Sequence, residues 1–223
     1  MIEIKLVDRD RKIIQEIDRW RVVQGRHIRE LAGFSGQRAC DRRLRKLVDG
    51  GYIIREKILY GVAGIYRNTV KASKLERLAN INRKIRIEQI RHDITVLDTV
   101  IYFHKNRGFE YGSIKSEIEL HRQDGFGIRK HRPDFVIIDD GKTICVEVEL
   151  ALKSKTRFET IIKNNFLEYD KQIWVVPSLN TKIAKVLVNS KGAYPNIEIL
   201  ELSKIDLETM QNKNTGTESI NND

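Results

Sequence analysis

Two short apolar runs, separated by a turn of four residues, constrain most strongly how this chain can fold. Residues 135–138 and 143–150 have the apolar composition of β-strands. The connecting residues 139–142, Asp-Asp-Gly-Lys, include the Asp-Gly pair that is typical of a tight hairpin. The sequence therefore predicts an antiparallel β-hairpin in the second half of the chain.

Acidic residues interrupt this predicted hairpin. Asp134 precedes its first strand, and Glu147 and Glu149 lie within its second strand. Because strand side chains alternate between two faces, Cys145, Glu147 and Glu149 are expected on one face, within reach of Asp134. Clustered carboxylate oxygens suit Mg²⁺ or Mn²⁺, so the three acids are candidate metal ligands. The simpler interpretation is a sheet with one solvated face that carries two ordinary surface glutamates.

The composition is that of a globular protein without a membrane segment. Hydrophobic residues make up 40% of the 223 residues and charged residues 32%. No apolar run approaches the roughly 18 residues of a membrane-spanning helix, and the N-terminal residues are charged rather than signal-like. Cys40 and Cys145 lie far apart and match neither a disulfide framework nor a zinc-binding motif. The sequence contains no Walker glycine loop, so we expect no nucleotide cofactor. We therefore expect a cytoplasmic protein with no membrane partner.

Positive charge is concentrated in the first third of the chain. The formal net charge is +10, and residues 1–78 hold 19 Lys and Arg against 10 Asp and Glu. Such an asymmetry indicates an N-terminal segment that binds a polyanion. A basic solvated surface without a partner is the alternative.

The N-terminal third predicts three helices followed by a hairpin. The predicted elements are helices from Asp8 or Asp10, over 25–32 and up to about Asp49, and strands at 52–54 and 64–70. Ser35 is the predicted N-cap of the third helix. Three helices and a hairpin in this order resemble the winged helix-turn-helix over residues 8–73.

This resemblance implies that the chain binds double-stranded DNA. In a winged helix the third helix enters the major groove, and the hairpin touches the backbone or the minor groove. Arg38, Arg42 and Arg45 are spaced to share one exposed helix face, and arginine can contact guanine or phosphate. The residues expected to bind DNA from the third helix and the hairpin are Gln37, Arg38, Arg42, Arg45, Lys57 and Arg67. Some winged helices bind proteins instead, and the sequence leaves this alternative open.

The remaining residues predict an α/β (α+β) domain. Its predicted elements are a helical connector at 72–84, a helix over 85–103, an extended segment over 109–120, the acidic hairpin, helices over 156–169 and 181–189, and strands at 173–176 and 197–202. The polar residues from about Asp206 are expected to be disordered. We therefore predict a DNA-binding domain at 1–78, a second domain at 79–205 and a tail at 206–223.

The order helix, three strands, helix, strand resembles the PD-(D/E)xK nuclease superfamily over about residues 86–202. Pro133-Asp134 opens the second strand, and Glu147-x-Glu149 lies on the third. The resemblance implies a restriction-endonuclease-like α-βββ-α-β domain. In that family the acids matching Asp134 and Glu147 bind a divalent metal that activates water to cleave a phosphodiester.

Three further residues enter this candidate catalytic set through the same resemblance. Glu149 occupies the position where the superfamily usually has lysine, although some of its restriction endonucleases also carry glutamate there. Lys153 is the candidate for a displaced lysine, and a solvated cation is the alternative for it. Glu117 matches an acid that is often contributed from earlier in the fold, and an exposed strand residue is its alternative.

The whole arrangement is similar to the replication-relaxation family of plasmids and mobile elements. That family joins a winged helix to a domain with a helical His, a strand Glu, Pro-Asp and Glu-x-acid, which match His92, Glu117, Pro133-Asp134 and Glu147-x-Glu149. The similarity implies a metal-dependent endonuclease or nickase that acts in DNA replication, relaxation or transfer. The alternative is a non-catalytic transcriptional or replication regulator whose nuclease-like domain serves interaction or dimerisation. Whether the chain forms a homodimer stays open.

Overall fold

The computed structural model describes residues 4–58, 60–78, 85–124, 130–151 and 154–205. These residues form a mixed α+β protein with one three-stranded and one five-stranded sheet. The chain divides into two compact units between Ile101 and Tyr102. The predicted tail at 206–223 and much of the predicted connector lie outside the described residues.

The N-terminal unit contains the expected helices and hairpin. Its elements are α1 (Asp8–Arg19), β1 (Val23–Gln24), α2 (Gly25–Leu31), α3 (Gln37–Asp49), β2 (Ile53–Glu56), β3 (Ile65–Asn68) and α4 (Val70–Leu75). The strands are antiparallel, in the order β1-β3-β2. The predicted secondary structure, three helices followed by a β-hairpin, is therefore confirmed.

Helical spacing of apolar residues explains how the core of this unit forms. On α3, Cys40, Leu44 and Leu47 are fully buried, as their spacing predicts. The predicted N-cap at Ser35 is wrong because α3 begins at Gln37 and Gly36 is its N-cap, without a side-chain bond. Only the residue directly before the first helical position can cap the first turn with its side chain.

The helix α5 (Ile90–Arg107) contributes residues to both units. In the N-terminal unit, Ile90 packs with Val22 and Ile65, and Asp98 accepts a hydrogen bond of 2.6 Å from Arg26. These contacts explain why the first unit extends to Ile101, beyond the boundary after residue 78 that the sequence suggested.

The C-terminal unit is built on a mixed sheet with helices on its faces. Its elements are β4 (Ile114–Ser116), α6 (Glu117–Gln123), β5 (Phe135–Asp139), β6 (Lys142–Val148), α7 (Lys155–Glu168), β7 (Lys171–Val176), α8 (Lys182–Ser190) and β8 (Ile197–Glu201). The sheet order is β4-β5-β6-β7-β8. The pairs from β4 to β6 are antiparallel, and those from β6 to β8 are parallel.

The predicted hairpin is confirmed, with a loop of two residues. Asp139 pairs with Lys142, and Asp140 and Gly141 between them have φ values of 45° and 77°. Two successive residues with positive φ characterise the tight hairpin turn that Asp-Gly favours.

The predicted extended segment over 109–120 is wrong except at β4, because Tyr111–Ser113 form a short 3-10 helix and an α-helix begins directly after Ser116. Ser116 caps α6: its hydroxyl accepts a hydrogen bond from the Glu119 N–H, and the Glu119 carboxylate accepts one from the Ser116 N–H, at 3.3 and 2.8 Å. This reciprocal cap starts a helix at Glu117, where a strand was expected.

Apolar side chains cover both faces of the sheet. On one face, Phe158 of α7 meets Trp174 of β7 edge to face, with ring centroids 4.9 Å apart. On the other face, Phe103 of α5 meets Phe135 of β5 in the same manner at 6.0 Å. Among the described residues, no helix combines the length and the apolar composition needed to cross a membrane.

Candidate functional site

The structure brings Asp134 and Glu147 together at the carboxyl ends of the parallel strands β6 and β7. Asp134 directly precedes β5, and its Oδ2 accepts a hydrogen bond of 2.7 Å from the Val148 N–H at the end of β6. Glu147 lies one residue earlier on β6, beside Trp174 of β7. The carboxyl ends of parallel strands are where ligands usually bind in α/β sheets.

Glu147 is buried and is held by two side chains. Its Oε1 accepts a hydrogen bond of 2.8 Å from His131 Nε2 and one of 2.9 Å from Asn165 Nδ2. Burial raises the pKa of Glu147, the negative charge of Asp134 raises it further, and the bonds from His131 and Asn165 oppose this rise. Burial and the neighbouring Asp134 thus disfavour the charged form of Glu147, and its two hydrogen bonds favour that form.

The interpretation of the glutamates as residues of a solvated face is wrong. Glu147 is 7% exposed and Glu149 is 6% exposed. The helix α7 covers the face of β6 that carries Cys145 and Glu147, which removes that face from solvent.

Arg132 fixes the segment that carries His131. Its Nε donates to both carboxylate oxygens of Asp124, at 3.0 and 3.1 Å, and its guanidinium also pairs with Glu168 at the end of α7. The Arg132 bond holds the pKa of the Asp124 carboxyl below its usual value. Lys130 adds an ion pair with Glu168 at 2.6 Å. The residues before Asp134 are thus attached to both α6 and α7.

The remaining predicted catalytic residues are Glu149, Glu117 and Lys153, and the structure describes the first two of them. The Glu149 N–H donates to the Val175 carbonyl at 2.9 Å, so the ladder between β6 and β7 continues to this residue. Glu117 begins α6, and its N–H donates to the Asp134 carbonyl at 3.0 Å. The Glu117 carboxylate lies 3.6 Å from His121. Lys153 lies outside the described residues.

The chemistry of the carboxylate pair fits a hydrated divalent cation. In the part of the chain that the structure describes, no three His, Cys, Asp or Glu side chains are grouped so that they could hold a metal ion. Mg²⁺ needs no such cage, because it commonly keeps several waters and binds through one or two carboxylates together with substrate phosphates. Asp134 and Glu147 would supply these two carboxylates.

Three residues of this site were not predicted from the sequence: His131, Arg132 and Asn165. A local signal exists for two of them, because His131 and Arg132 directly precede the Pro-Asp pair. Asn165 gives no such signal, since it is 18 residues from Glu147 and meets it only because α7 packs on β6.

The arginines predicted to bind DNA are exposed on α3. Arg38, Arg42 and Arg45 all lie on its exposed face, as does Gln37, whose Nε2 donates to Asp41 at 2.7 Å. Arg43 differs from them because it pairs with the fully buried Asp10 of α1. This pairing was not predicted.

The other residues named from the sequence lie in the N-terminal unit. Lys57 is exposed directly after β2, whereas Arg67 on β3 pairs with Glu56 at 3.2 Å. His92 lies on α5 with its Nδ1 3.2 Å from Asp93. No protein-family model matches this chain, and no match was found among curated proteins.

Proposed function

We propose that this chain is a DNA-binding protein of a plasmid or mobile element that nicks or cleaves DNA with a divalent cation held at Asp134 and Glu147. The N-terminal unit would serve as a winged helix-turn-helix and the C-terminal unit as a restriction-endonuclease-like domain. A role in DNA replication, relaxation or transfer is what the resemblance of the sequence motifs to the replication-relaxation family would imply. The meeting of Asp134 with the buried Glu147 at the carboxyl ends of β6 and β7 carries the proposal.

The α3 surface supports DNA binding. Arg38, Arg42 and Arg45 are exposed on a helix that follows two shorter helices and precedes a β-hairpin. In a winged helix this helix enters the major groove, where arginine can bind guanine edges or phosphates. The excess of positive charge in residues 1–78 favours the same partner.

The order of elements and the arrangement of the acids support cleavage. A divalent cation bound by the pair would polarise the phosphodiester and lower the pKa of a bound water. The chain's own groups hold the two carboxylates in place: the Val148 N–H binds Asp134, and His131 and Asn165 bind Glu147. Fixed carboxylates of this kind need little reorganisation during the reaction.

A plasmid assay tests this function. With Mg²⁺ or Mn²⁺, the protein is expected to nick or linearise supercoiled plasmid that carries its own target site. Asp134→Asn and Glu147→Gln should each abolish cleavage and leave DNA binding intact, because removing a carboxylate also removes repulsion of phosphate. Glu159→Gln is the matched control, since Glu159 is exposed on α7 and should be dispensable. Uncut plasmid with both metals, together with intact binding, would contradict the proposal.

A non-catalytic regulator is the second candidate. One observation favours it: Glu149 stands where the superfamily usually has lysine. A regulator would bind DNA and leave it uncut. If the protein does cleave DNA, Glu149→Lys distinguishes two roles of this position. Retained activity would mean that the position needs only a group that orients water, and lost activity would indicate that Glu149 is a metal ligand.

A further inference from the structure

The two hydrogen bonds to Glu147 end on the same carboxylate oxygen. His131 and Asn165 both donate to Oε1, and within the described part of the chain Oε2 receives no hydrogen bond. A carboxylate fixed through one oxygen keeps the lone pairs of the other oxygen for a ligand. This asymmetry distinguishes Glu147 from a glutamate that is simply neutralised in a core.

Both donors are themselves held by their surroundings. Asn165 is 2% exposed on α7, and its carbonyl accepts a hydrogen bond of 3.0 Å from the Tyr169 N–H. His131 precedes Arg132, whose bonds to Asp124 and Glu168 attach this segment to two helices. The two donors therefore reach Glu147 from different segments: Asn165 lies on α7, and His131 lies in the residues before β5, which Arg132 attaches to Asp124 and to α7.

We propose that His131 and Asn165 are positioning residues that hold Glu147 Oε1, so that Oε2 is offered to a divalent cation beside Asp134. This inference rests on the function proposed above and adds two residues to its site. Outer-shell donors of this kind orient a ligating carboxylate before the cation arrives, and their loss typically weakens metal binding about 10–100-fold. Neither residue is proposed to touch the cation or the DNA.

Calorimetric titration of the full chain with Mn²⁺, without DNA, tests this role. His131→Ala and Asn165→Ala should each weaken Mn²⁺ binding about 10–100-fold. His131→Gln keeps an N–H donor at the end of a side chain of similar reach, so it should restore the affinity to within a few-fold of the wild type. Asn164→Ala is the matched control, because Asn164 is the exposed neighbour of Asn165 and should not matter. Circular dichroism would verify that each variant is folded, and the partly exposed His131 provides the test if Asn165→Ala fails to fold.

Each outcome separates the positioning role from the proposed function. Wild-type binding of Mn²⁺ with unchanged or tighter binding by His131→Ala would overturn the positioning role and leave the cation site standing. Equal weakening by His131→Gln and His131→Ala would also overturn it, because a donor alone would then not suffice. Absence of Mn²⁺ binding by the wild type would overturn both.

Discussion

Adjacent arginines on α3 have different surroundings and should have different roles. The Arg43 side chain donates from Nε to Asp10 Oδ1 at 2.6 Å and from its Nη2 to the Lys5 carbonyl at 3.1 Å. Asp10 is 0% exposed, and its carboxylate is stabilised by Arg43 and by a hydrogen bond of 2.8 Å from the Val7 N–H. Arg42, the preceding residue, is exposed on the face that we propose contacts DNA.

The substitutions Arg43→Ala and Arg42→Ala should therefore affect different properties, stability for the first and DNA binding for the second. Arg43→Ala leaves the buried carboxylate of Asp10 without its cation and should lower the free energy of unfolding by roughly 3 kcal/mol. Arg42→Ala should change it by about 0.5 kcal/mol or less, and should instead weaken DNA binding and lower its salt slope by about one unit. Urea denaturation and DNA-binding titrations at several salt concentrations measure the two effects. Equal destabilisation by both substitutions would contradict these assignments.

A buried histidine should make the stability of the protein depend on pH. His27 of α2 is fully buried, with its Nδ1 accepting from the Gln24 N–H at 3.2 Å and its Nε2 3.1 Å from Asp98. Burial lowers the pKa of His27 below its ordinary value of 6.5, although the Asp98 carboxylate opposes this effect. The unfolded chain therefore binds a proton more readily than the folded protein does.

The contribution of His27 should be fully present above pH 6.5 and be lost as the pH falls through its lowered folded pKa. The free energy of unfolding should accordingly fall between pH 7 and pH 5, by at most about 1.4 kcal/mol per pH unit from this residue. In His27→Gln this dependence should be smaller, whatever the stability of the variant at pH 7. Denaturation of both proteins at the two pH values measures the slopes, and identical slopes would refute the assignment.

At the scale of elements, local chemistry explains which parts of the fold the sequence could predict. The hairpin follows from Asp140-Gly141, because the residues that form its turn are adjacent in the chain. The placement of Glu117 failed because the reciprocal cap at Ser116 outweighed the extended pattern that surrounds it. The donors to Glu147 could not be predicted, since they lie 16 and 18 residues from it and depend on packing.

The hairpin turn gives a prediction at this scale. Gly141 has a φ of 77°, and a Cβ atom added there would have no atom within 4 Å. The cost of Gly141→Ala is therefore conformational alone and should be about 1–2 kcal/mol of unfolding free energy. Gly112→Ala provides the control, because that site is equally open and has no positive φ. It should be neutral or slightly stabilising in the same denaturation experiment, and an equal loss at both glycines would rule out backbone strain as the cause.

At the scale of the whole molecule, the sequence predicted the class of fold better than the limits of its parts. The mixed α+β architecture follows from periodicity and turn residues, which act over short distances. The boundary between the units depends instead on Asp98 and Ile90, whose partners are in α2, β3 and the residues just before β1. Contacts between residues so far apart in the chain leave no local pattern in the sequence. The boundary after residue 78 was instead suggested by the excess of positive charge in residues 1–78.

The most direct measurement of the proposed site is a crystal structure of the protein with Mn²⁺, with the ion located by its anomalous scattering. We expect one anomalous peak within about 2.5 Å of a carboxylate oxygen of both Asp134 and Glu147, the range of bonds from carboxylates to hard divalent cations. The peak should disappear in Asp134→Asn. Saturating Mn²⁺ that leaves no peak between these two side chains, or a peak that Asp134→Asn does not change, would contradict a cation site at this pair.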